Sequence, residues 1–363
     1  MNNIKSLGVL VTIMLLLLAC TPSTAMYTVA PDIPFPLSEP GPYYAGYQEY
    51  TIVDESREGR EIELKIWYPA KEKTDALSMR DASANKRDGP YPLIITGYAT
   101  GGELFDDHLV THGFVMAEVG FPEEYANWDL GLIDHPRDFL FALDQLASNP
   151  PEGLEGVIDT DNAGVAGYSW EGYYSLAVSG ARIDPEFYLE RCHDASSIDP
   201  PLSDYMISYY CDLAVRWEDF EAHAGSQIME SDDGLWQPLT DERIHAVMPM
   251  GPEGALFFGE RGLAAVDRPT MIIAGTADDI THYDLEAVYI FEHLGTPDRY
   301  LISFVNQGHF MVDDSEQAKR INHFVTAFFG YHLHGREDFA EYFSEEYVSQ
   351  YDDLAWGVYA DEE

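Results

Sequence analysis

Apolar and charged positions follow two different patterns along this chain, and the change between them divides it. Over 61–68 they alternate, with Ile62, Leu64 and Ile66 on one side and Glu61, Glu63 and Lys65 on the other. A period of two with one apolar side predicts a half-buried antiparallel strand. Residues 49–53, across a polar turn at 54–59, predict its partner. From Pro92 onward the alternation gives way to continuous apolar runs at 92–95 and 114–117, and further strands are predicted at 163–168, 244–248, 270–274 and 300–305. Such runs fit strands covered on both faces. Helix-period segments lie between them: a short one ending near Thr111, then 136–147, 174–178, 283–294 and 315–332. In the second of these Phe139, Leu143 and Leu146 mark the buried face, with Leu140 and Ala147 beside them. Ser315 is the expected N-cap of the last. Strands alternating with helices predict parallel βαβ units, and so an α/β fold with a mostly parallel sheet flanked by helices.

Two stretches break the alternation. Residues 182–242 carry Cys192, Cys211 and a dense aromatic patch that includes Phe187, Tyr188, Tyr205, Met206, Tyr209 and Tyr210. They read as an insertion over one end of the sheet. It is either a lid or acyl pocket, or a small core of its own, and the two readings are compatible. The acidic, aromatic-bearing tail from Glu337 is expected to pack as further helix.

The N-terminus is a targeting segment. Lys5 precedes an apolar run over 7–19 that is too short to span a bilayer comfortably, and Cys20 follows directly. Leu17-Leu18-Ala19-Cys20 resembles the lipobox of bacterial lipoproteins, in which the cysteine becomes an acylated N-terminus. The alternative is an ordinary secretory signal cut near Ala25. The division expected is a signal peptide over 1–19, a Pro- and Gly-rich tether and arm over 20–47, and one domain over 48–363. The chain is then extracytoplasmic and lipid-anchored to a bacterial membrane. With Cys20 lipidated, Cys192 and Cys211 remain as a pair, and outside the cytoplasm they predict a disulfide, with two buried thiols as the alternative.

Of 363 residues, 64 are acidic and 20 basic, a net charge of -44. This opposes binding to nucleic acid and electrostatic docking on anionic lipid. The acid is spread along the whole chain, which favours a hydrated surface over a field aimed at a cationic partner.

The chemistry centres on Ala166-Gly167-Tyr168-Ser169-Trp170-Glu171-Gly172, where an apolar strand runs into a serine and a helix leaves it. A serine at such a turn projects its hydroxyl from the sheet, with the Trp170 N–H placed for a developing oxyanion. The G-x-S-x-G pattern is imperfect, because Glu171 stands where the second glycine is expected and Gly172 comes one place later. A serine hydroxyl needs a base, and the base needs an orienting acid. Asp278, with Asp279 as alternate, follows the strand at 270–274. His309 follows Gly308 after the last strand. The loop Thr96-Gly97-Tyr98-Ala99-Thr100-Gly101-Gly102 offers the Tyr98 N–H as a second oxyanion donor. No spacing suggests a metal site, and no metal or organic cofactor is implied.

These residues resemble the α/β-hydrolase superfamily. Within it they are most similar to the platelet-activating-factor acetylhydrolases and dienelactone-hydrolase-like esterases. The similarity spans about 48–334. It rests on Arg60, Trp67-Tyr68-Pro69, the 92–102 loop strand, His112-Gly113-Phe114, Arg137-Asp138, Gly167-Tyr168-Ser169, Gly275 to Asp278, and Gly308-His309. The resemblance implies an α/β-hydrolase fold with catalytic Ser169, Asp278 and His309, and with oxyanion donors at Tyr98 and Trp170. There are two departures. Thr96-Gly97 stands where relatives carry His-Gly, and Glu171 stands where they carry glycine. That carboxylate either unsettles anionic substrates or points to solvent from the first helical turn, where negative charge is favoured. Dienelactone hydrolases proper use cysteine, so a serine here implies an esterase. The expected activity is hydrolysis of carboxylic esters, small or lipid-like, through an acyl-enzyme. The alternatives are a ligand-binding surface lipoprotein of the same fold without activity, and a peptidase on that fold.

Overall fold

The computed structural model describes residues 34–72, 79–98, 105–121, 130–195, 204–229 and 231–360. The signal segment, Cys20 and most of the tether lie outside these residues, as do the glycines of the 99–104 loop and the side chains of Tyr205 and Met206.

Among the described residues, nine strands form one sheet: β1 (Tyr44–Asp54), β2 (Arg60–Ala70), β3 (Tyr91–Gly97), β4 (Val115–Val119), β5 (Ile158–Tyr168), β6 (Ile244–Met250), β7 (Thr270–Gly275), β8 (Arg299–Phe304) and β9 (Leu354–Trp356). Their order is β1-β2-β4-β3-β5-β6-β7-β8-β9. The six strands from β4 to β8 in that row are parallel, as the alternation of strands and helices predicts. β1, β2 and β9 are antiparallel additions at the two edges. Alternate residues of the central strands feed two cores. Leu93, Ile95 and Val165 pack on one face, and Ile94, Ala166 and Met248 on the other.

Helices cover both faces. In chain order they include α1 (Asp106–Thr111), α2 (Gly131–Ser148), α3 (Trp170–Ser179), α4 (Pro185–His193), α5 (Asp204–Val215), α6 (Trp217–Ala224), α7 (Ser226–Met229), α8 (Ala255–Leu263), α9 (Tyr289–His293), α10 (Ser315–His334) and α11 (Glu345–Val348). Leu143 of α2 and Leu176 of α3 belong to the first core, and Phe324 and Phe328 of α10 to the second. The β1–β2 hairpin is pinned to α2 by a buried bidentate pair: Arg60 Nε donates to Asp138 Oδ1 at 2.9 Å and Arg60 Nη2 to Oδ2 at 2.7 Å.

Several expectations are corrected. Asp314, not Ser315, caps α10, its carboxylate accepting from the N–H groups of Glu316 and Gln317. The segment expected as one helix over 283–294 is a wide π-helical turn, Asp284–Val288, before α9. The tail is only partly helical. A 3-10 turn (Glu337–Phe343) and α11 lead into β9, which pairs with β8. The described part of the N-terminal arm is docked on the domain: Phe35 stacks on Tyr351 and Leu37 is buried. The described part of the 182–242 stretch holds α4 to α7, and Cys192 of α4 and Cys211 of α5 form a disulfide. No helix among the described residues is long and apolar enough to cross a membrane.

Candidate active site

β5, β7 and β8 run parallel, so the loops leaving their C-terminal ends meet at one edge of the sheet. Ser169, Asp278 and His309 sit on those loops. Ser169 follows Tyr168 with φ 57° and ψ -121°, a left-handed conformation that a serine adopts only under constraint. The constraint is visible. Ser169 N–H donates to Met250 O at 2.9 Å, and Ser169 O accepts from Gly172 N–H at 2.8 Å. The turn is so tight that a Cβ on Gly167 would lie 1.9 Å from the carbonyl oxygen of Glu171. Trp170 opens α3, where backbone N–H groups point out of the helix N-terminus.

His309 Nε2 lies 3.0 Å from Ser169 Oγ, and His309 Nδ1 lies 2.8 Å from Asp278 Oδ2. With its proton on Nδ1, the imidazole donates to Asp278 and accepts from the serine hydroxyl. Asp278 is itself held. Its Oδ1 accepts from the N–H groups of Ile280 and Thr281, and its Oδ2 from Thr281 Oγ1 at 2.8 Å. Tyr168 stacks on the imidazole at 4.9 Å and donates its hydroxyl to His309 O at 2.8 Å. Both His309 and Asp278 are buried, while Asp279 is exposed. This relay can draw a proton from Ser169 and stabilise the imidazolium that results.

Tyr98, the last described residue before the 99–104 loop, is exposed at the end of β3. It is tied to the elbow through Gly97, against which Glu171 packs. Glu171 does not point to solvent. It is only 2 % exposed, which overturns that expectation. The displaced glycine has its own reason, since a Cβ on Gly172 would lie 2.7 Å from Pro252 Cα.

The surroundings are rich in buried carboxyls. Burial pushes Glu118 of β4 up to about 7, against the pull of Lys65 and of the Trp67 indole, with Glu171 and Glu49 adding to the rise. On the other side, burial raises Glu286 to about 8 although Ala255 N–H donates to it at 2.9 Å. Burial and the neighbouring Glu286 hold Glu253 well above the usual carboxylate range. Tyr209 of α5 donates to Glu253 at 3.3 Å and meets the Trp170 ring edge-on at 5.8 Å, so the 182–242 stretch reaches the serine's neighbour. The same stretch also has its own core, in which Tyr188 stacks on Trp217 and Phe220 on Trp236, with Trp217 and Phe220 meeting at a tilt.

The sequence matches no protein-family model and no curated protein.

Sequence reading missed Thr281, Tyr168, Glu253 and Glu286. For Thr281 a signal existed, because an aspartate followed three residues later by a hydroxyl side chain reads as a local turn that fixes the carboxylate. Nothing in the sequence marked the two glutamates. Among the described residues no cluster of His, Cys, Asp or Glu is arranged to hold a metal ion.

Proposed function

We propose that this chain is a serine hydrolase of carboxylic esters on an α/β-hydrolase fold. The observation that carries the reading is the continuous Ser169–His309–Asp278 hydrogen-bond relay, at 3.0 and 2.8 Å, with the serine on a strained strand-to-helix turn. Ser169 attacks the ester carbonyl. His309 takes its proton and returns it to the departing alcohol. Asp278 orients and balances the imidazolium, and the N–H groups of Tyr98 and Trp170 receive the oxyanion. Water activated by His309 then releases the acid. The 182–242 helices wall the site through Tyr209 and act as its lid or acyl pocket.

The protein is exported and held to a bacterial membrane through acylated Cys20. The Cys192–Cys211 disulfide supports an oxidising compartment. A fluorophosphonate probe tests the activity. Labelling at Ser169 with turnover of short-chain esters is expected, both absent in Ser169→Ala. A folded protein that neither labels nor turns over any ester would sink the reading, and amide turnover equal to ester turnover would turn it into a peptidase.

A further inference from the structure

The acidic residue at the elbow belongs to a larger charge imbalance beside the Tyr98 loop. A groove of about 340 Å³ runs from Tyr98 over β1, β2 and β4, lined among others by Glu49, Tyr50, Glu63, Lys65 and Glu118. Glu118 is fully buried. Its Oε1 accepts from the Trp67 indole, but its Oε2 has no hydrogen-bond donor among the described residues, the Lys65 ammonium standing 4.0 Å away. Tyr50 Oη is likewise buried with no hydrogen-bond partner among the described residues. Buried polar atoms are almost always satisfied, so two such atoms in the lining of one groove point to a ligand that satisfies them.

The charges facing the groove set its sign. Glu118 comes from β4, Lys65 and Glu63 from β2, and Glu49 from β1, where Arg80 pairs with it at 2.7 Å. Glu171 adds its field from the first turn of α3. Among the described residues, four carboxylates are thus met by one lysine and by an arginine at the rim. Lys65 is partly spent on aromatic faces, 4.2 Å from the Trp67 ring centroid and 5.2 Å from that of Tyr47. An anion is repelled here. A neutral apolar group leaves Glu118 Oε2 and Tyr50 Oη unmet.

We propose that this groove takes a protonated amine on the alcohol half of the ester, its N–H donating to Glu118 with Tyr50 beside it. The inference rests on the esterase reading above. The ester carbonyl then lies at Ser169 and the Tyr98 N–H, and the amine-bearing arm extends past Tyr98. Burial first, and then the charges of Glu171 and Glu49, raise the Glu118 carboxyl to about 7, and a bound ammonium beside it opposes that rise.

The test compares three butyrate esters on the full chain: 2-(dimethylamino)ethyl butyrate, its uncharged isostere 3-methylbutyl butyrate, and the anionic 2-carboxyethyl butyrate. The amine ester should exceed the isostere at least about tenfold in kcat/KM, with the anion lowest, and the ratio should shrink at high salt. It should fall in Glu118→Gln and in Glu63→Gln, the second being a surface change that keeps the test open if the first disturbs folding. A ratio within about twofold of unity, or one that neither variant moves, overturns the proposal. Calorimetry on Ser169→Ala reads the same preference as binding without turnover. Equal affinity for the amine ester and its isostere therefore sinks the groove proposal, whereas failure of the wild type to hydrolyse any ester sinks the esterase reading.

Discussion

The carboxylate of Glu171 occupies the space that a side chain on Gly97 would need: a Cβ at 97 would lie 2.1 Å from Glu171 Oε1 and 2.3 Å from its Cδ. The acidic residue at the elbow is therefore accommodated by a glycine on the neighbouring strand and not by solvent. It couples the first turn of the helix behind Ser169 to the strand that delivers Tyr98. The glutamate that departs from the expected pattern thus packs against Gly97, the residue of the Thr96-Gly97 pair that keeps to it.

A double-mutant cycle follows from that contact. Gly97→Ala alone forces the carboxylate or the strand to move and should cost both stability and ester turnover. Glu171→Ala clears the space, so the double variant should be less damaged than the sum of the singles, with a coupling of about 1–3 kcal/mol in urea unfolding. Strict additivity would show that the two positions do not meet.

The orienting acid is distinguished by burial and hydrogen bonding. Asp278 bonds His309 and is closed in by Thr281, while its neighbour Asp279 is exposed. Asp278→Asn loses the acceptor that fixes the imidazole tautomer, and kcat should fall by about 10³–10⁴-fold. Asp279→Asn should stay near wild type. The reverse ranking in steady-state assays would reassign the acid.

The docked N-terminal arm is held by histidines that fold in their neutral form. His108 Nε2 bonds Leu37 O at 2.9 Å, Leu37 N–H donates to His323 Nδ1 at 3.1 Å, and His112 Nε2 bonds Glu39 O at 2.9 Å. Burial depresses His108 to about 4 and His112 and His323 to about 3, the charges of the neighbouring histidines adding to the last two. A depressed histidine binds its proton more readily when unfolded. Its contribution is whole above about 6.5 and is lost as pH falls from there toward the folded value. Limited proteolysis should show the segment around Leu37 opening between about pH 6 and pH 4. His323→Asn, whose side chain does not titrate there, should flatten that dependence. An arm equally protected across the range, in wild type and variant alike, would refute the coupling.

The sheet was legible because its chemistry is local. Continuous apolar runs such as 92–95 have no polar face to show, so they must be covered twice, and the alternation over 61–68 marks the exposed edge. Ser169, Asp278 and His309 were legible through their order after successive strands, since parallel strands bring those loop ends together. What stayed hidden depends on contacts between distant positions. Short β9 carries no period of its own and is a strand only because β8 offers an edge. Glu171 reads as a solvated first-turn residue until Gly97 is seen beneath it. The capping role passed from Ser315 to Asp314 because both are good caps and the sequence alone does not set the register.

Glu286 is the most consequential of those hidden groups, because it is buried beside Glu253 and Tyr210 within the field of Asp278. Its folded proton affinity is raised to about 8, by burial first. The folded protein therefore keeps a proton that the unfolded chain releases above its ordinary value of 4.5. The stability contributed by that group is full below about 4.5 and is lost as pH rises through about 8. Glu286→Gln keeps the carbonyl that accepts from Ala255 N–H and removes the titration. It also relieves Glu253, whose own proton affinity is raised by the Glu286 charge. The variant should match wild type near pH 5 and exceed it near pH 8 by a few kcal/mol in denaturant unfolding, with a flatter profile between. Parallel profiles for the two proteins would mean that the Glu286 carboxyl ionises in the folded state as it does in water. In that case its burial would have to be offset by a cation or a water chain inside the β6–α8 loop.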